Sequence, residues 1–390
     1  MNSYSLTDNT WNHSEIDAIN RVVNSGNFTM GAEVQAFERE FAQFFGVKYA
    51  IMSNSGSSAN LLMIASLVLS GKLNPGDHVI VPAVSWSTTY YPVTQYGLVL
   101  KFVDIDLETL NFDLLQLEKS ISKKTKAIFA VNLLGNPNNF DVIQEIARKH
   151  NLIIIEDNCE SLGAKYNGVY TGTIGIIGTF STFYSHHIST MEGGVTVTND
   201  EVLYSIMLSI RAHGWTRNLS DDNPIYQKSS DPFYESFNFI LPGYNLRPLE
   251  IEAAIGREQI KKIDSIVNQR RDNAIFFLEQ LKSIPWVRTQ KEIGESSWFG
   301  FSLIIKQNSK IVRSDIIKLL KENSIDVRPI VAGNFTRNPV IKYLNHEIFS
   351  ELINADQAHD SGFFVGNHSV DNRLNIEHLV NVLKTINYEK

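Results

Sequence analysis

Short apolar runs recur along the first 240 residues and predict strands buried on both faces: KYAIMSN (48–54), DHVIVPAV (77–84), LVLKFVDID (98–106), KAIFAVNLLG (126–135) and NLIIIEDN (151–158). Between them lie helical patterns. SGSSANLLMIASLVLS (55–70) is apolar on nearly all sides and suits a buried helix, whereas FDVIQEIARKH (140–150) separates two strands as a helix. Strands of this kind alternating with helices predict an α/β fold with a mostly parallel sheet covered on both faces. FNFILPGYNLRPLE (237–250), punctuated by Pro and Gly, reads as a crossing loop, and one long helix is predicted from about 248 to 283. WFGFSLIIK (298–306) and IVRSDIIKLLKENSIDVRP (311–329) then give strand–helix–strand. The pattern divides the chain into a large unit, 1–245, and a connecting helix with a smaller C-terminal α+β domain, 246–390.

Composition narrows the class. Across 390 residues, 43% hydrophobic and 20% charged content is that of a folded globular protein. A net charge of −7 argues against a nucleic-acid partner, while leaving room for a local basic pocket for a phosphorylated small molecule. No apolar run is long enough to span a membrane, and the polar, acidic MNSYSLTDNTWNHSEID has no signal-peptide character, so a cytoplasmic enzyme is expected. One cysteine, Cys159, can make neither an intrachain disulfide nor a four-cysteine iron–sulfur cluster.

Three stretches carry candidate chemistry. In SNSGSSAN (53–60), hydroxyl residues surround Gly56 and Ser57 at a strand-to-helix turn, where unpaired N–H groups favour an anion; a plain helix cap has the same look. IIIEDNCES (153–161) ends a strand in Glu156 and Asp157, the place where open α/β sheets bind ligands. FSTFYSHHISTMEGG (180–194) sets Ser181, His186 and His187 ahead of a sharp Glu-Gly-Gly turn, in a span without lysine between Lys165 and Lys228. Adjacent histidines point apart and no metal-binding motif accompanies them, which disfavours a metal pair.

Taken together, these stretches resemble the type I pyridoxal-phosphate (PLP) fold, and more narrowly the DegT/DnrJ/EryC1/StrS sugar aminotransferase family. The likeness extends over FTMGAEVQAFEREFAQFFGVKYAIMSNSGSSANLL (28–62), VIVPAVSWSTTYYPV (79–93), FVDID (102–106) and PGYNLRPLEIEAAIG (242–256). In that family a cofactor-binding lysine precedes Glu-Gly-Gly by six residues; counting back from Glu192 puts His186 there. An imidazole cannot form a Schiff base, so the resemblance implies non-covalent PLP or pyridoxamine phosphate, with His186 as the base.

The closer likeness, carried by VSWSTTYYP and FYSHHISTMEGG, is to the family's 3-dehydratase branch. It implies a GDP-linked 4-keto-6-deoxymannose substrate, L-glutamate as amino donor, released ammonia and a dideoxy sugar destined for surface polysaccharide. A sister branch that also carries histidine needs an iron–sulfur cluster, for which one cysteine does not suffice. By position, the resemblance assigns Gly56, Ser57 and Ser181 to the phosphate, Asp157 to the pyridine nitrogen, Glu160 to the 3-hydroxyl and Trp86 to stacking on the ring. Asn245 would reach the cofactor of a second subunit, which requires a homodimer. His213, Arg217, Arg328 and His368 are candidate substrate contacts. Packing in the core is the alternative for Trp86, and a structural role the expectation for His187. Two other readings stay open: an aminotransferase with an atypical base, and an inactive PLP-fold binding protein.

Overall fold

The computed structural model describes residues 3–386. An eight-stranded sheet forms the centre, in the order Tyr49–Ser53, Gly194–Thr198, Ile177–Ser181, Ile153–Asp157, Thr125–Val131, His78–Pro82, Val99–Val103 and His346–Ile348. Gly194–Thr198 is antiparallel to both neighbours; the remaining pairings are parallel. The apolar runs thus form the mostly parallel α/β sheet they predict. One core face holds Ile51, Val79, Val81, Leu100, Phe129 and Ile155 against the helix Gly56–Leu69, whose all-round apolarity follows from its burial.

The reversed strand has a local cause. Ile177–Ser181 and Gly194–Thr198 are sequential antiparallel neighbours, so residues 182–193 need only return the chain at one end of the sheet. That return is held by Thr182 N to Gly193 O (2.9 Å), Thr190 N to Thr182 O (2.8 Å) and Tyr184 N to Met191 O (2.9 Å). The Glu-Gly-Gly motif fits there because a Cβ on Gly193 would run into the hydroxyls of Thr182 and Thr190, and one on Gly194 into the Ser55 carbonyl.

The single long helix expected over 248–283 is two, Glu250–Ile260 and Ile263–Leu281. They share one core at the join, where Ile260 packs with Ile263, Ile266 and Val267, and part beyond it, Ala274, Phe277 and Leu281 entering the C-terminal core. The first packs on the helices His13–Ser25 and Ala32–Phe45, with Gly256 so close to Phe37 that a Cβ would lie 2.5 Å from the ring. The second packs on Arg373–Lys384. Lys262, at the break, turns its ammonium back to Glu15 and the Thr10 carbonyl.

A three-stranded antiparallel sheet, Val287–Arg288, Gly300–Ile305 and Gly362–Gly366, forms the C-terminal core. The strand expected near 324–329 is reduced to two isolated bridges, Ile325 with Tyr4 and Arg328 with Phe364, and beyond Arg328 the Pro329 ring has no N–H to extend the ladder. Two segments cross the 245/246 division: Tyr4 enters the C-terminal core with its hydroxyl 2.5 Å from the Gly366 carbonyl, and His346–Ile348 extends the large sheet.

Strand pleating separates the two acids that close Ile153–Asp157. Glu156 is fully buried and accepts from the N–H groups of Gly172 (2.6 Å), Ile174 (2.7 Å) and Gly175 (2.6 Å), which fixes the turn leading into Ile177–Ser181. Glu156→Gln would aim an amide at these donors. The variant is expected to be roughly 2–4 kcal/mol less stable, read as a lower urea midpoint with tryptophan fluorescence as the probe.

Candidate active site

Four segments meet at the end of the sheet where its parallel strands finish. The strand Tyr49–Ser53 leads into the helix Gly56–Leu69, whose N-cap Ser55 accepts from Ser58 N at 3.1 Å. Gly56 faces Ser181: a Cβ there would lie 2.7 Å from the Ser181 Cβ and 3.2 Å from the Cys159 sulfur. The helix start, its free N–H groups and the Ser181 hydroxyl therefore line one small cradle suited to a phosphate. Ser57 Oγ donates to Thr88 Oγ1 (3.0 Å), joining the cradle to the helix Ser87–Gln95. Trp86, at the N-cap of that helix, is 58% exposed, so it does not pack in the core and its ring is free to cover a ligand.

Asp157 is 5% exposed and held by three donors. Its Oδ2 accepts from Asn60 Nδ2 (2.9 Å) and Thr89 Oγ1 (2.7 Å), and its Oδ1 from Cys159 N (3.1 Å). Asn60 is itself fixed by Thr179 Oγ1 at 2.6 Å. A carboxylate locked this way can orient and hold a protonated ring nitrogen. Glu160 accepts from Leu134 N at 3.0 Å; burial, with Asp157 nearby, pushes its carboxyl up to about 7.

The two histidines divide. His186 is partly exposed, with Nδ1 3.3 Å from Ser181 Oγ and its ring 5.2 Å from that of Phe299. Burial, aided by the Arg270 cation, lowers its imidazole to about 4, so it is neutral at neutral pH. His187 is fully buried, and its Nε2–H donates to the Ser297 carbonyl at 3.0 Å. Burial takes its proton affinity well below the ordinary imidazole value, and its Nδ1 lone pair has no partner. The described residues include no cluster of three or more His, Cys, Asp or Glu able to hold a metal.

The structure thus brings Gly56, Ser57, Trp86, Asp157, Glu160, Ser181 and His186 to one end of the sheet. The other candidates make no direct hydrogen bond to this group, although the loop of Asn245 adjoins it through Asn54 N and the Leu246 carbonyl (3.1 Å). Asn245 is exposed, its side chain accepting from Arg247 Nε (2.9 Å), on the loop that pairs with Ala212 and His213. Arg217, also exposed, stacks over Trp215 at 4.2 Å, and His213 packs edge-on against the same ring. Arg328 is exposed and reaches the site region only through Phe364, whose ring is 6.5 Å from Phe299. His368 is buried against Tyr4, with Nε2 2.8 Å from the Ser5 carbonyl, and stands away from the cradle. Sequence reasoning missed Asn60, Thr89 and Phe299. Asn60 stands one turn into the helix from Gly56 and Thr89 one turn from Trp86, spacings that place them beside the cradle; Phe299 arrives from the C-terminal unit and left no local signal.

A phosphate cradle, a buried strand-end carboxylate and an exposed aromatic on this sheet define a type I PLP-fold site. Residues 9–386 match the DegT/DnrJ/EryC1/StrS aminotransferase family, and the chain belongs to it. It is 54% identical, over 98% of its length and 99% of the relative's, to the GDP-4-keto-6-deoxy-D-mannose 3-dehydratase of Yersinia pseudotuberculosis. The crystal structure of a GDP-4-keto-6-deoxymannose-3-dehydratase with a trapped PLP-glutamate geminal diamine superposes with a TM-score of 0.96 at 52% identity, covering 97% of this chain and all of that one. A histidine-to-asparagine variant of such an enzyme, crystallised with GDP-perosamine, matches with the same score, identity and coverage.

Gly56→Ala would press a methyl group onto Ser181 and close the cradle. The expected outcome is at least a tenfold loss of pyridoxamine-phosphate affinity by fluorescence titration, together with a lower melting temperature of the unliganded protein.

Proposed function

We propose that this chain is a PLP-dependent 3-dehydratase that removes the C3 hydroxyl from GDP-4-keto-6-deoxy-D-mannose. The observation that carries the reading is His186: an imidazole occupies the place of the family's lysine while the surrounding cradle is intact. The inactive-protein reading leaves Asp157, held by three donors, and the exposed Trp86 without a purpose.

Gly56, Ser57, Ser181, Asp157, Glu160 and Trp86 would hold the cofactor, which would supply an electron sink for the carbons beside the substrate carbonyl. His186 Nδ1 pairs with Ser181 Oγ, which leaves Nε2 to take and return a proton. An imidazole offers no amine to displace product, so water releases the nitrogen as ammonia and the sugar keeps none. The balanced sum converts keto sugar and L-glutamate to 3-deoxy keto sugar, 2-oxoglutarate and ammonia. Nucleotide and sugar follow from the 3-dehydratase relatives and from the one crystallised with GDP-perosamine. A homodimer sharing the site accounts for exposed Asn245 and for the exposed apolar residues Phe237, Phe239 and Leu249 around its loop, together with Phe28, whose carbonyl binds the adjoining Glu250 N–H.

Mass spectrometry of the sugar after incubation with GDP-4-keto-6-deoxymannose, PLP and L-glutamate tests the reading. A product lacking one oxygen, with ammonia released, is expected; a nitrogen-bearing sugar would make the chain an aminotransferase. His186→Lys should gain the visible absorbance of lysine-bound PLP and lose dehydration, whereas wild-type dehydration in that variant would remove His186 from the chemistry.

The reaction should also keep its rate in mild acid. Because burial lowers the His186 imidazole to about 4, the unprotonated base persists below the ordinary imidazole range. The acid limb of kcat/KM is therefore expected well below pH 6.5, with activity falling as pH drops through it.

A further inference from the structure

Close to the histidines stands a buried cation that forms no ion pair among the described residues. Arg270, in the helix Ile263–Leu281, is 1% exposed; its Nη1 donates to the Phe299 carbonyl at 3.0 Å and its Nε has no partner. Its neighbour Arg271 is arranged differently, binding the carbonyls of Ser296 (2.9 Å) and Glu295 (3.1 Å) and the Glu295 carboxylate (3.2 Å). Among the described residues no carboxylate forms an ion pair with Arg270. Taking a guanidinium out of water without a counter-charge is costly, so a side chain kept there needs a reason.

Tethering alone is a weak one. The segment 295–299 is already held by Arg271, by Asn367 Nδ2 on the Trp298 carbonyl (2.9 Å), and by Ser297 N and Phe299 N on the carbonyls of Gly135 (2.9 Å) and Leu134 (3.1 Å). What Arg270 adds is charge. It grips the residue whose ring lies 5.2 Å from His186 and 5.7 Å from His187, in an interior where charge is little screened.

We propose that Arg270 is a positioning residue for the base: its buried guanidinium, paired with no carboxylate among the described residues and fixed to the Phe299 carbonyl, disfavours a proton on His186 and so extends the base's working range into acid. The inference rests on His186 acting as the base. The charged and titratable groups that act on the two rings are Arg270 and Arg271 on the helix and, on His187, its own neighbour in the pair, His186. Asp8, on the N-terminal segment, faces Arg270 but is engaged by Ser369 N at 3.0 Å. After burial, Arg270 is the next influence lowering the proton affinity of His187, and the charged group that lowers that of His186.

The test is a titration of the His186 imidazole by carbon-13 NMR in the full-length protein, with and without pyridoxamine phosphate, assigned with His186→Asn. Arg270→Gln and Arg270→Met remove the charge, the second filling the space with an apolar side chain; Arg270→Lys keeps a cation. In the neutral variants the midpoint should rise by about one pH unit, a tenfold gain in proton affinity, and the acid limb of kcat/KM should rise with it. Arg270→Lys should leave both within a few tenths of a unit. An unmoved midpoint in whichever neutral variant folds overturns the proposal, as does an equal rise in Arg270→Lys. Full activity in His186→Asn would instead sink the base assignment, while the titration would still report on Arg270.

Discussion

The site depends on one reversed strand. Because Gly194–Thr198 runs antiparallel beside Ile177–Ser181, the twelve or so residues between them fold back at the sheet end where the ligand-binding turns lie. A crossover helix at this point would have carried the chain to the opposite end and taken His186 with it. The return instead keeps the imidazole five residues from Ser181, within reach of its hydroxyl. The glycines that make the return possible are demanded by contact: side chains at 193 and 194 would strike the two threonines and the Ser55 carbonyl.

With an imidazole at 186 in the proposed role, holding the cofactor falls to non-covalent contacts alone. Charge-assisted hydrogen bonds contribute roughly 1.5–3 kcal/mol each, so a handful are needed to hold a small ligand without a covalent bond. The proposed set is of that order: the helix start at Gly56 and Ser57, the Ser181 hydroxyl, Asp157, Glu160 and the face of Trp86. Asp157 can serve there because Asn60 and Thr89 leave it one geometry, and Thr179 leaves Asn60 one in turn. The rigidity lies behind the contact residues, on two helices and two strands.

Much of this was legible in the sequence, for physical reasons. Buried parallel strands are apolar on both faces, so five of them stood out as runs, and strand ends and helix starts identify themselves by acids and small hydroxyls. The break at Lys261–Lys262 was not legible, because both halves are good helix and their apolar residues continue across it into one core. Nor was Phe299 or Arg270. Each reaches the histidines through tertiary packing of the C-terminal unit, which no local periodicity encodes. Trp86 was ambiguous on the page, and its exposure decides against core packing.

Two adjacent pairs, Glu156–Asp157 and His186–His187, follow one rule. In each, one side chain turns into the scaffold and its twin toward the cradle, by strand alternation in the first pair and within a bend of the return segment in the second. Glu156 takes three backbone N–H groups and fixes a turn; Asp157 takes side-chain donors at the ligand end. His187 is sealed against the Ser297 carbonyl; His186 stays half-open beside Ser181. The buried member is what makes the other precise. His187 ties the return loop to the C-terminal unit and so fixes the ring of its neighbour against Phe299, just as Glu156 fixes the turn that starts the strand carrying Ser181. A doubled residue in such a place is therefore read as one functional group and its anchor, and the segment that each member ties down tells which is which.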